Sequence, residues 1–372
     1  MTNMISGFLQ ERIDANDFPS AVYLVAEKGK IVLRDALGSA VVEPERIEAG
    51  IDTIYDLASL TKPLVTGLLM AKLIEDGKLP LEGRVGVYLK EFDTEGKRAI
   101  TILDLLRHTS HLPAWKPFYL CVSDHADVIA EIGRTPLEFE QEAVTYSDLN
   151  FIALGKLIER LVEAGLAELT ADGLVTPLNL QRTFFNPSER FRKEIAASET
   201  GNMYERQMCV DSKNPVATAP GSDVFRDNII WGEVHDGNAY FMGGASGHAG
   251  LFSTAKDVFE IAQQFLPNYS TLLKPDTCKL FRTNLTTGMN EHRSFAFQLA
   301  STNDSSAGTR MSPQGFGHNG FTGTSLWIDP VKERVFILLT NRTHNHDLPF
   351  VNINGVRRRF HDLAINFLDK NL

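Results

Sequence analysis

The sequence is short of the features that define several large classes of protein. Its 372 residues include only three cysteines, Cys121, Cys209 and Cys278, which are far apart and form no CxxC pair. Neither a disulfide framework nor a cysteine zinc site is therefore indicated. The N-terminus has no signal-peptide pattern, and the longest apolar stretch, at about 64–74, is too short to span a bilayer. These absences favour a cytoplasmic protein with no membrane partner, or a periplasmic one whose leader has been removed.

What is present is the composition of an ordinary globular protein. Hydrophobic residues make up 43% of the chain and charged residues 23%, which is enough for a packed core. Lys and Arg total 37 against 47 Asp and Glu, a formal net charge of −10. This acidic balance argues against nucleic acid and anionic membranes as partners.

Strand patterns occur near both ends of the sequence, with helical patterns between them. Two β-rich runs flank Lys28-Gly29 and predict a hairpin. The further predicted elements are strands at 295–299, 325–329 and 334–340, and helices at 5–13, 59–77, 151–161, 258–265 and 355–368. This order predicts an α+β fold, an α/β sandwich. Residues 1–60 and 265–372 would form the sheet domain and residues 61–264 a mostly helical inserted domain, with the active site between them.

Several motifs that look functional have simpler interpretations. GFGHNG at 315–320 matches the dinucleotide fingerprint, but a turn and a strand follow it instead of the required helix. The histidines at 108–111 and 344–347 lack the spacing of known metal motifs. We therefore expect no metal site and no cofactor. The arginines at 357–359 are expected to form a solvated face of the last helix.

The SxxK pattern is the stronger signal, and it occurs at 59–62 and at 253–256. Residues i and i+3 share one face of a helix, so the lysine can reach the serine hydroxyl. The lysine can accept the serine proton only if burial or nearby cations lower its pKa. Ser59 opens an apolar helix that is expected to be buried. Ser253 or Thr254 instead precedes an acidic first turn, which is typical of a helix cap.

Two further motifs follow Ser59 in order, Tyr146-Ser147-Asp148 and then His318-Asn319-Gly320. With SxxK, this set resembles the serine β-lactamase and penicillin-binding-protein superfamily, and especially its class C β-lactamase and family VIII esterase branch. That superfamily carries SxxK, YxN, and KTG or a variant such as HxG, in this order and at about these spacings. The stretches ITILDLLRHTSHLP and GGASGHAGLFSTAKDV add to the resemblance, which covers roughly residues 15–365.

The resemblance implies a β-lactamase/transpeptidase-like fold, with an antiparallel sheet flanked by helices, and an acyl-enzyme mechanism. In that mechanism Ser59 attacks an ester or amide carbonyl. Lys62 and Tyr146 share the role of base, and Lys62 holds Tyr146 closer to its phenolate form. The backbone N–H groups of Ser59 and Phe321 form the oxyanion hole.

The sequence departs from the superfamily pattern at two positions. Asp148 replaces the asparagine of YxN, and its carboxylate could pair with Lys62 or attract a cationic substrate amine. His318 replaces the lysine of KTG, and a neutral imidazole is a poorer anchor for a substrate carboxylate. We expect Asp148, His318, Asn319 and Gly320 to contact the substrate.

The sequence thus predicts a serine hydrolase, most simply a carboxylesterase or an aminopeptidase-like hydrolase of small acyl substrates. A class C-type β-lactamase or DD-peptidase is the second interpretation, because both departures disfavour carboxylate-bearing β-lactams and D-Ala-D-Ala peptides. A non-catalytic penicillin-binding sensor is the third. The predicted partner is a small-molecule ester, amide or β-lactam, and assembly into a homo-oligomer is left open.

Overall fold

The centre of the fold is a seven-stranded antiparallel sheet whose strands come from both ends of the sequence. The computed structural model describes residues 4–138, 143–211 and 224–371. The sheet has the order β3-β2-β1-β9-β8-β7-β6, and β4 pairs separately with β5. The strands are β1 Ser20–Glu27, β2 Lys30–Val41, β3 Ile47–Glu48, β4 Tyr55–Asp56, β5 Phe252–Ser253, β6 Gln298–Leu299, β7 Phe316–Asn319, β8 Ser325–Asp329 and β9 Arg334–Thr340.

Helices cover both faces of this sheet. The α-helices are α1 Met4–Asp14, α2 Leu68–Glu75, α3 Ile102–Leu106, α4 Phe118–Cys121, α5 Val128–Arg134, α6 Asp148–Val162, α7 Leu166–Thr170, α8 Met203–Asp211, α9 Gly237–Phe241, α10 Ala255–Ala262, α11 Pro275–Cys278 and α12 Asn354–Asn371. The 3-10 turns are Ala58–Leu60, Val85–Val87, Lys90–Phe92, His125–Asp127, Glu189–Glu194, Gln263–Phe265 and Lys279–Arg282, and the π-helical segments are Lys62–Gly67 and Ala171–Val175.

Strand β1 shows how the sheet is buried on two sides. Its side chains alternate between faces, as the pleat requires. Tyr23 packs with α1 and α12 in one apolar cluster. Val22 and Leu24 belong to the larger cluster that includes Leu64 and the helical part of the chain. The site described below lies on the side of this larger cluster.

The β1–β2 hairpin confirms the sequence prediction. Lys28 and Gly29 both have positive φ angles, 50° and 72°, which is the geometry of the tight turns that match strand twist. The strands predicted at 325–329 and 334–340 are also confirmed. The fold class is confirmed with them.

The strand predicted at 295–299 is wrong for most of its length, because only Gln298–Leu299 is a strand. Ala296 has a φ of 64°, which breaks an extended backbone. Phe295 and Phe297 instead pack in an aromatic cluster around Phe281, with ring centroids 5.5 Å and 5.9 Å from it. The apolar residues at 295–299 therefore indicate buried side chains and do not indicate a strand.

The helix predicted at 59–77 begins irregularly. A 3-10 turn at Ala58–Leu60 leads into the π-helical segment Lys62–Gly67, and regular α-helix starts only at Leu68. Pro63 lies in this first part and has no N–H to donate. The division into 1–60 plus 265–372 and 61–264 stays a prediction. Helix α10, which that division gives to the inserted region, contacts β1 and β9 of the sheet.

Within the described residues, no helix combines the length and apolar character that crossing a membrane requires.

Candidate active site

Ser59 and Lys62 meet at the start of the irregular helix. Ala58, immediately before the serine, has a φ of 47°, so the chain turns sharply into the 3-10 turn that carries Ser59. One turn later, Lys62 Nζ donates a hydrogen bond to Ser59 Oγ at 2.8 Å. The lysine side chain is fully buried. The three-residue spacing in SxxK thus brings the lysine into contact with the serine hydroxyl, as the sequence predicts.

The remaining donors of Lys62 are also occupied. Its Nζ forms an ion pair with Asp148 Oδ1 at 2.7 Å and donates to the carbonyl of His248 at 3.2 Å. An ammonium group has three donors, so Ser59, Asp148 and His248 together satisfy it. Of the two roles open to Asp148, the structure shows pairing with Lys62.

The loop before α6 holds Tyr146 and Asp148 in place. The backbone N–H of Ser147 donates to His108 Nδ1 at 3.0 Å, and the Ser147 hydroxyl donates to the carbonyl of Pro113 at 2.6 Å. The backbone N–H of Asp148 donates to the carbonyl of Ala114 at 2.9 Å. These bonds fix the backbone at Ser147 and Asp148, immediately after Tyr146.

His108 belongs to the site, although the sequence patterns predicted no role for it. Its ring centroid lies 4.6 Å from that of Tyr146. Burial, followed by the charges of Arg293 and Lys62, holds the pKa of His108 well below its ordinary value. The ring is therefore neutral, and it supports Tyr146 by packing and through Ser147.

The protonation of Lys62 and Tyr146 corrects the expectation from sequence. Burial is the largest single influence and lowers the pKa of Lys62, but the interactions with Asp148 and Tyr146 together outweigh it and hold the pKa above its ordinary value. Burial raises the pKa of Tyr146, with Lys62 opposing the rise and Asp148 adding to it. The resting site therefore holds a lysine cation and a neutral phenol. Lys62 does favour the phenolate form, as the sequence predicts, but burial and Asp148 outweigh this influence, and the net pKa of Tyr146 is raised.

The turn after β7 is fastened to the segment that precedes Ser59. Thr322 Oγ1 donates to the carbonyl of Asp56 at 2.7 Å, and Thr324 Oγ1 donates to the carbonyl of Leu57 at 3.0 Å. A Cβ on Gly320 would lie 2.5 Å from the Leu57 oxygen and would also clash with Thr324 Oγ1. Glycine is therefore required where the two segments meet, and Phe321 and Ser59 on these segments both line the cavity described below.

Arg357 supports the same turn from α12. Its Nη2 donates to the carbonyls of Gly320 and Thr324 at 2.8 Å and 3.0 Å. Only 6% of the residue is exposed, and burial lowers its pKa to about 9. The sequence interpretation of a solvated face was wrong for Arg357, because the turn supplies the acceptors that a buried guanidinium needs.

His318 lies on β7 facing Tyr146, with their ring centroids 5.7 Å apart. Burial, then the charges of Arg293 and Lys62, holds its pKa well below its ordinary value. The imidazole is therefore neutral, as the sequence comparison with KTG suggested. His318 Nδ1 contacts the carbonyl of Asn319 at 2.9 Å, and the Asn319 side chain accepts a hydrogen bond from Ser306.

These groups line one open cavity of about 620 Å³. Its wall includes Ser59, Tyr146, Asp148, His318, Asn319, Gly320 and Phe321 from the sequence prediction. Lys62 lies behind Ser59. The oxyanion role of the Ser59 and Phe321 backbones stays a prediction, supported by their common place in this wall.

The sequence analysis missed other residues of the wall, which include Tyr204, Glu205, His235, Asp236, Arg293, Gln298 and Arg342. Most of them come from loops and short helices with no recognisable pattern. Glu205 accepts a hydrogen bond from the Tyr119 hydroxyl at 2.7 Å. Burial, with a contribution from Asp236, raises the pKa of Glu205 to about 7.

One group of side chains has the composition of a metal site. Ligand atoms of Asp148, Asp236 and His248 lie within 4.8 Å of one another. Each carboxylate already has a partner, since Asp148 pairs with Lys62 and Asp236 Oδ1 lies 2.9 Å from His248 Nε2. The group is explained as part of the lysine environment, and we infer no metal from it.

The second SxxK copy behaves as a helix start. Thr254 is the N-cap of α10 and accepts from the backbone N–H of Asp257 at 3.2 Å. Lys256 is exposed, whereas Ser253 is buried in β5 with its hydroxyl 2.7 Å from that of Thr183. The helix-cap interpretation is confirmed, and within the described residues no lysine forms a hydrogen bond with Ser253.

Known proteins similar to this chain include serine hydrolases, which agrees with the geometry of Ser59 and Lys62. The family model described as Beta-lactamase matches residues 5–356, and the chain belongs to this family of serine hydrolases. A relative in Escherichia coli K12 is named putative D-alanyl-D-alanine carboxypeptidase. It is 32% identical over 371 residues, which cover 92% of this chain and 82% of that protein.

Solved structures share the fold at low sequence identity. EstCE1, described as a hydrolase with promiscuous acyltransferase activity, matches with a TM-score of 0.73 and 20% identity, and the match covers 97% of each chain. A class C β-lactamase from Rhodobacter sphaeroides matches with a TM-score of 0.71 and 16% identity, covering 98% of this chain and 99% of that one. At this low sequence identity, the two matches show a shared fold and nothing further.

Replacing Asp148 by asparagine should shift the pH profile of kcat/KM to lower pH. Asp148 raises the pKa of both Lys62 and Tyr146, and the reaction requires this pair to lose a proton. In Asp148→Asn the proton leaves at lower pH, so the rising limb of kcat/KM should move down by about one pH unit or more. At a pH below that limb, the variant should therefore have a kcat/KM about tenfold or more above that of the wild type. Steady-state hydrolysis of a p-nitrophenyl ester across pH measures the limb.

The matched control is Asp124→Asn, which removes one carboxylate from a 3-10 turn outside the wall of the cavity. The rising limb of kcat/KM in this variant should stay at the pH at which it lies in the wild type. A limb that does not move in Asp148→Asn, or that moves to higher pH, would show that Asp148 does not set the charge of Lys62 and Tyr146.

Proposed function

We propose that the chain is a serine hydrolase that takes the acyl group of a small ester or amide onto Ser59 Oγ and then transfers it to water. The observation that carries the proposal is the buried Lys62 ammonium, 2.8 Å from Ser59 Oγ and oriented by Asp148 and the His248 carbonyl. A serine hydroxyl needs an adjacent base to become a nucleophile, and this lysine, with Tyr146 beside it, is placed for that task.

The chemical steps follow from these positions. The Lys62–Tyr146 pair first loses one proton to solvent and can then accept the Ser59 proton as Oγ bonds to the carbonyl carbon. The backbone N–H groups of Ser59 and Phe321 stabilise the charge on the carbonyl oxygen, and such donors are typically worth a few kcal/mol each. The pair then protonates the leaving group. Water repeats the sequence and releases the acid.

The volume of the cavity favours small acyl substrates. Its volume of about 620 Å³ is in the range of small-molecule sites. The mechanism derived above uses only side chains and backbone groups of this chain. A carboxylesterase or aminopeptidase-like hydrolase is therefore the first candidate.

A peptidase that removes a C-terminal residue is the second candidate. The relative named putative D-alanyl-D-alanine carboxypeptidase, at 32% identity, supports this direction. β-Lactamase activity has less support, because the neutral His318 stands where KTG enzymes carry a lysine cation. A penicillin-binding sensor would hold the acyl group on Ser59 without releasing it.

Turnover separates the hydrolase from the sensor. Wild-type protein is incubated with excess p-nitrophenyl butyrate and, separately, with benzylpenicillin, and product is counted per molecule of protein. We expect many turnovers of the ester and slower turnover of the penicillin. Release of one equivalent of p-nitrophenol without further turnover, together with one penicilloyl group retained on the protein and no free penicilloate, would contradict the proposed hydrolase and favour the sensor.

A further inference from the structure

One of the hydrogen-bond acceptors of Lys62 takes no part in the chemistry. Ser59 Oγ is the nucleophile and Asp148 supplies the counter-charge, whereas the carbonyl of His248 is a backbone group 3.2 Å from Lys62 Nζ. The direction of a hydrogen-bonded ammonium group depends on where its acceptors lie. Whatever holds His248 in place therefore affects the alignment of Lys62 with Ser59.

The side chain of His248 is held at both ring nitrogens. Its Nδ1 lies 2.8 Å from Ser246 Oγ, and its Nε2 lies 2.9 Å from Asp236 Oδ1. Only 1% of His248 is exposed. Rotation of the ring would break at least one of these bonds inside the protein, where an unsatisfied polar atom is costly. The ring therefore fixes the orientation of the residue whose carbonyl Lys62 uses.

The backbone beside His248 is attached to the helix that carries Lys62. Thr66 Oγ1, one turn after the lysine, donates to the carbonyl of Gly247 at 2.7 Å. Gly247 also packs tightly on α6, since a Cβ there would lie 2.1 Å from the carbonyl oxygen of Phe151. The segment is thus fixed to the catalytic helix through its backbone, and the His248 side chain attaches it to Asp236 as well.

Asp236 belongs to a stretch of chain that also holds the turn before Ser59. The backbone N–H of the preceding residue, His235, donates to Asp56 Oδ2 at 2.7 Å. Asp56 Oδ1 accepts from the N–H of Ala58 at 2.8 Å, and Ala58 is the positive-φ residue immediately before the nucleophile. This stretch therefore connects to the serine on one side and, by way of Asp236, to the lysine on the other.

The carboxyl group of Asp236 is ionised. Burial acts to raise its pKa, but His248, the backbone N–H of Ala239 and Lys62 together hold the pKa below its ordinary value. A carboxylate only accepts hydrogen bonds, so Nε2 of His248 donates to it. The contact is a charge-assisted hydrogen bond, which is stronger than one between neutral groups.

We propose that His248 and Asp236 are positioning residues for the catalytic base. Asp236 and Ser246 hold the His248 ring, and the His248 carbonyl holds the Lys62 ammonium in line with Ser59 Oγ. This inference rests on the proposed hydrolase and deepens it by naming residues that the reaction needs although they do not react. Without the ring contacts the carbonyl loses its fixed position, and a misplacement of about 1 Å in a catalytic group can slow a reaction by about 100-fold.

Single-turnover acylation tests the proposal. Protein in excess is mixed with p-nitrophenyl butyrate at a pH above the rising limb of kcat/KM, and release of p-nitrophenol gives kmax, the rate constant at saturating protein. A variant that merely has a smaller folded fraction needs more protein to reach half of kmax but has the same kmax. We expect kmax to fall by about tenfold or more in His248→Ala. We expect His248→Gln, whose amide can still donate to Asp236, to recover part of the loss.

A double-mutant cycle shows whether Asp236 acts through His248. Asp236 also lines the cavity, and a direct contact with the substrate would make its effect independent of His248. We expect Asp236→Ala to lower kmax about as much as His248→Ala does, and to cause little further loss in a protein that already carries His248→Ala. Losses that add in the double variant would overturn the positioning role of Asp236.

The matched control is His344→Ala. His344 is also buried and bonded at both ring nitrogens, to the N–H of Val42 and the carbonyl of Ser198, but it lies outside the wall of the cavity. This variant should lose thermal stability and keep the wild-type kmax. Wild-type kmax in both His248 variants, or an equal fall in His344→Ala, would overturn the proposal and leave the hydrolase standing. Wild-type protein that releases no p-nitrophenol would overturn the hydrolase, and the proposal with it.

Discussion

Ser59→Ala should lose at least about 10³-fold in kcat toward every ester and amide that the wild type hydrolyses, because the substitution removes the nucleophile that Lys62 contacts. In the described structure Lys62 Nζ donates to Ser59 Oγ and to the His248 carbonyl and pairs with Asp148. The substitution removes only an oxygen, so the fold should be retained. Steady-state rates, together with a thermal unfolding curve for each protein, measure the two effects separately.

The matched control is Ser253→Ala, at the other SxxK sequence. Ser253 is buried and hydrogen-bonded to Thr183, and Lys256 is exposed. This variant should lose some thermal stability and keep its turnover. Equal losses of turnover in the two variants would reject the assignment of Ser59 as the nucleophile.

Tyr146→Phe should lower kcat by about 10²-fold or more. The ring would remain packed against His108 and His318, and the cations of Lys62 and Arg293 would still lie over it. Only the hydroxyl is removed, whose pKa Lys62 and Ser59 act to lower. The loss should therefore appear in kcat and in the pH profile, with the folded structure intact.

Tyr23→Phe is a suitable control for removal of a buried tyrosine hydroxyl. Tyr23 lies on β1 and is fully buried against Phe360 of α12, and its hydroxyl lies 2.9 Å from that of Ser6. Its loss should reduce the free energy of unfolding by about 1 kcal/mol with no change in the chemical step. Wild-type kcat in Tyr146→Phe would remove Tyr146 from the mechanism.

The parts of the structure that the sequence predicts are those that local spacing determines. SxxK needs only three residues of helical backbone to bring lysine to serine, and the Lys28-Gly29 turn needs only two positive φ angles. The order of the three motifs then identified the fold class through resemblance. The strand prediction at 295–299 failed because burial of Phe295 and Phe297 resembles a strand pattern whether or not the backbone is extended.

The parts that could not be predicted from the sequence depend on contacts between distant segments. The pKa of Lys62 depends on burial and on Asp148, 86 positions away, and that of Tyr146 depends on burial, on Lys62 and on Asp148. Arg357 looks like a surface cation until the Gly320 turn is placed against it. Arg293 has no motif of its own, and only the pairing of Gln298 with Gly317 brings it near Tyr146.

The most direct measurement is the mass of the acyl-enzyme. Wild type and Ser59→Ala are mixed with a p-nitrophenyl ester or a penicillin, quenched in acid within the first turnover and digested, and the modified peptide is sequenced by mass spectrometry. We predict an acyl adduct in wild type alone, on the hydroxyl of Ser59. An adduct on another residue, or one that persists in Ser59→Ala, would contradict acyl transfer through Ser59.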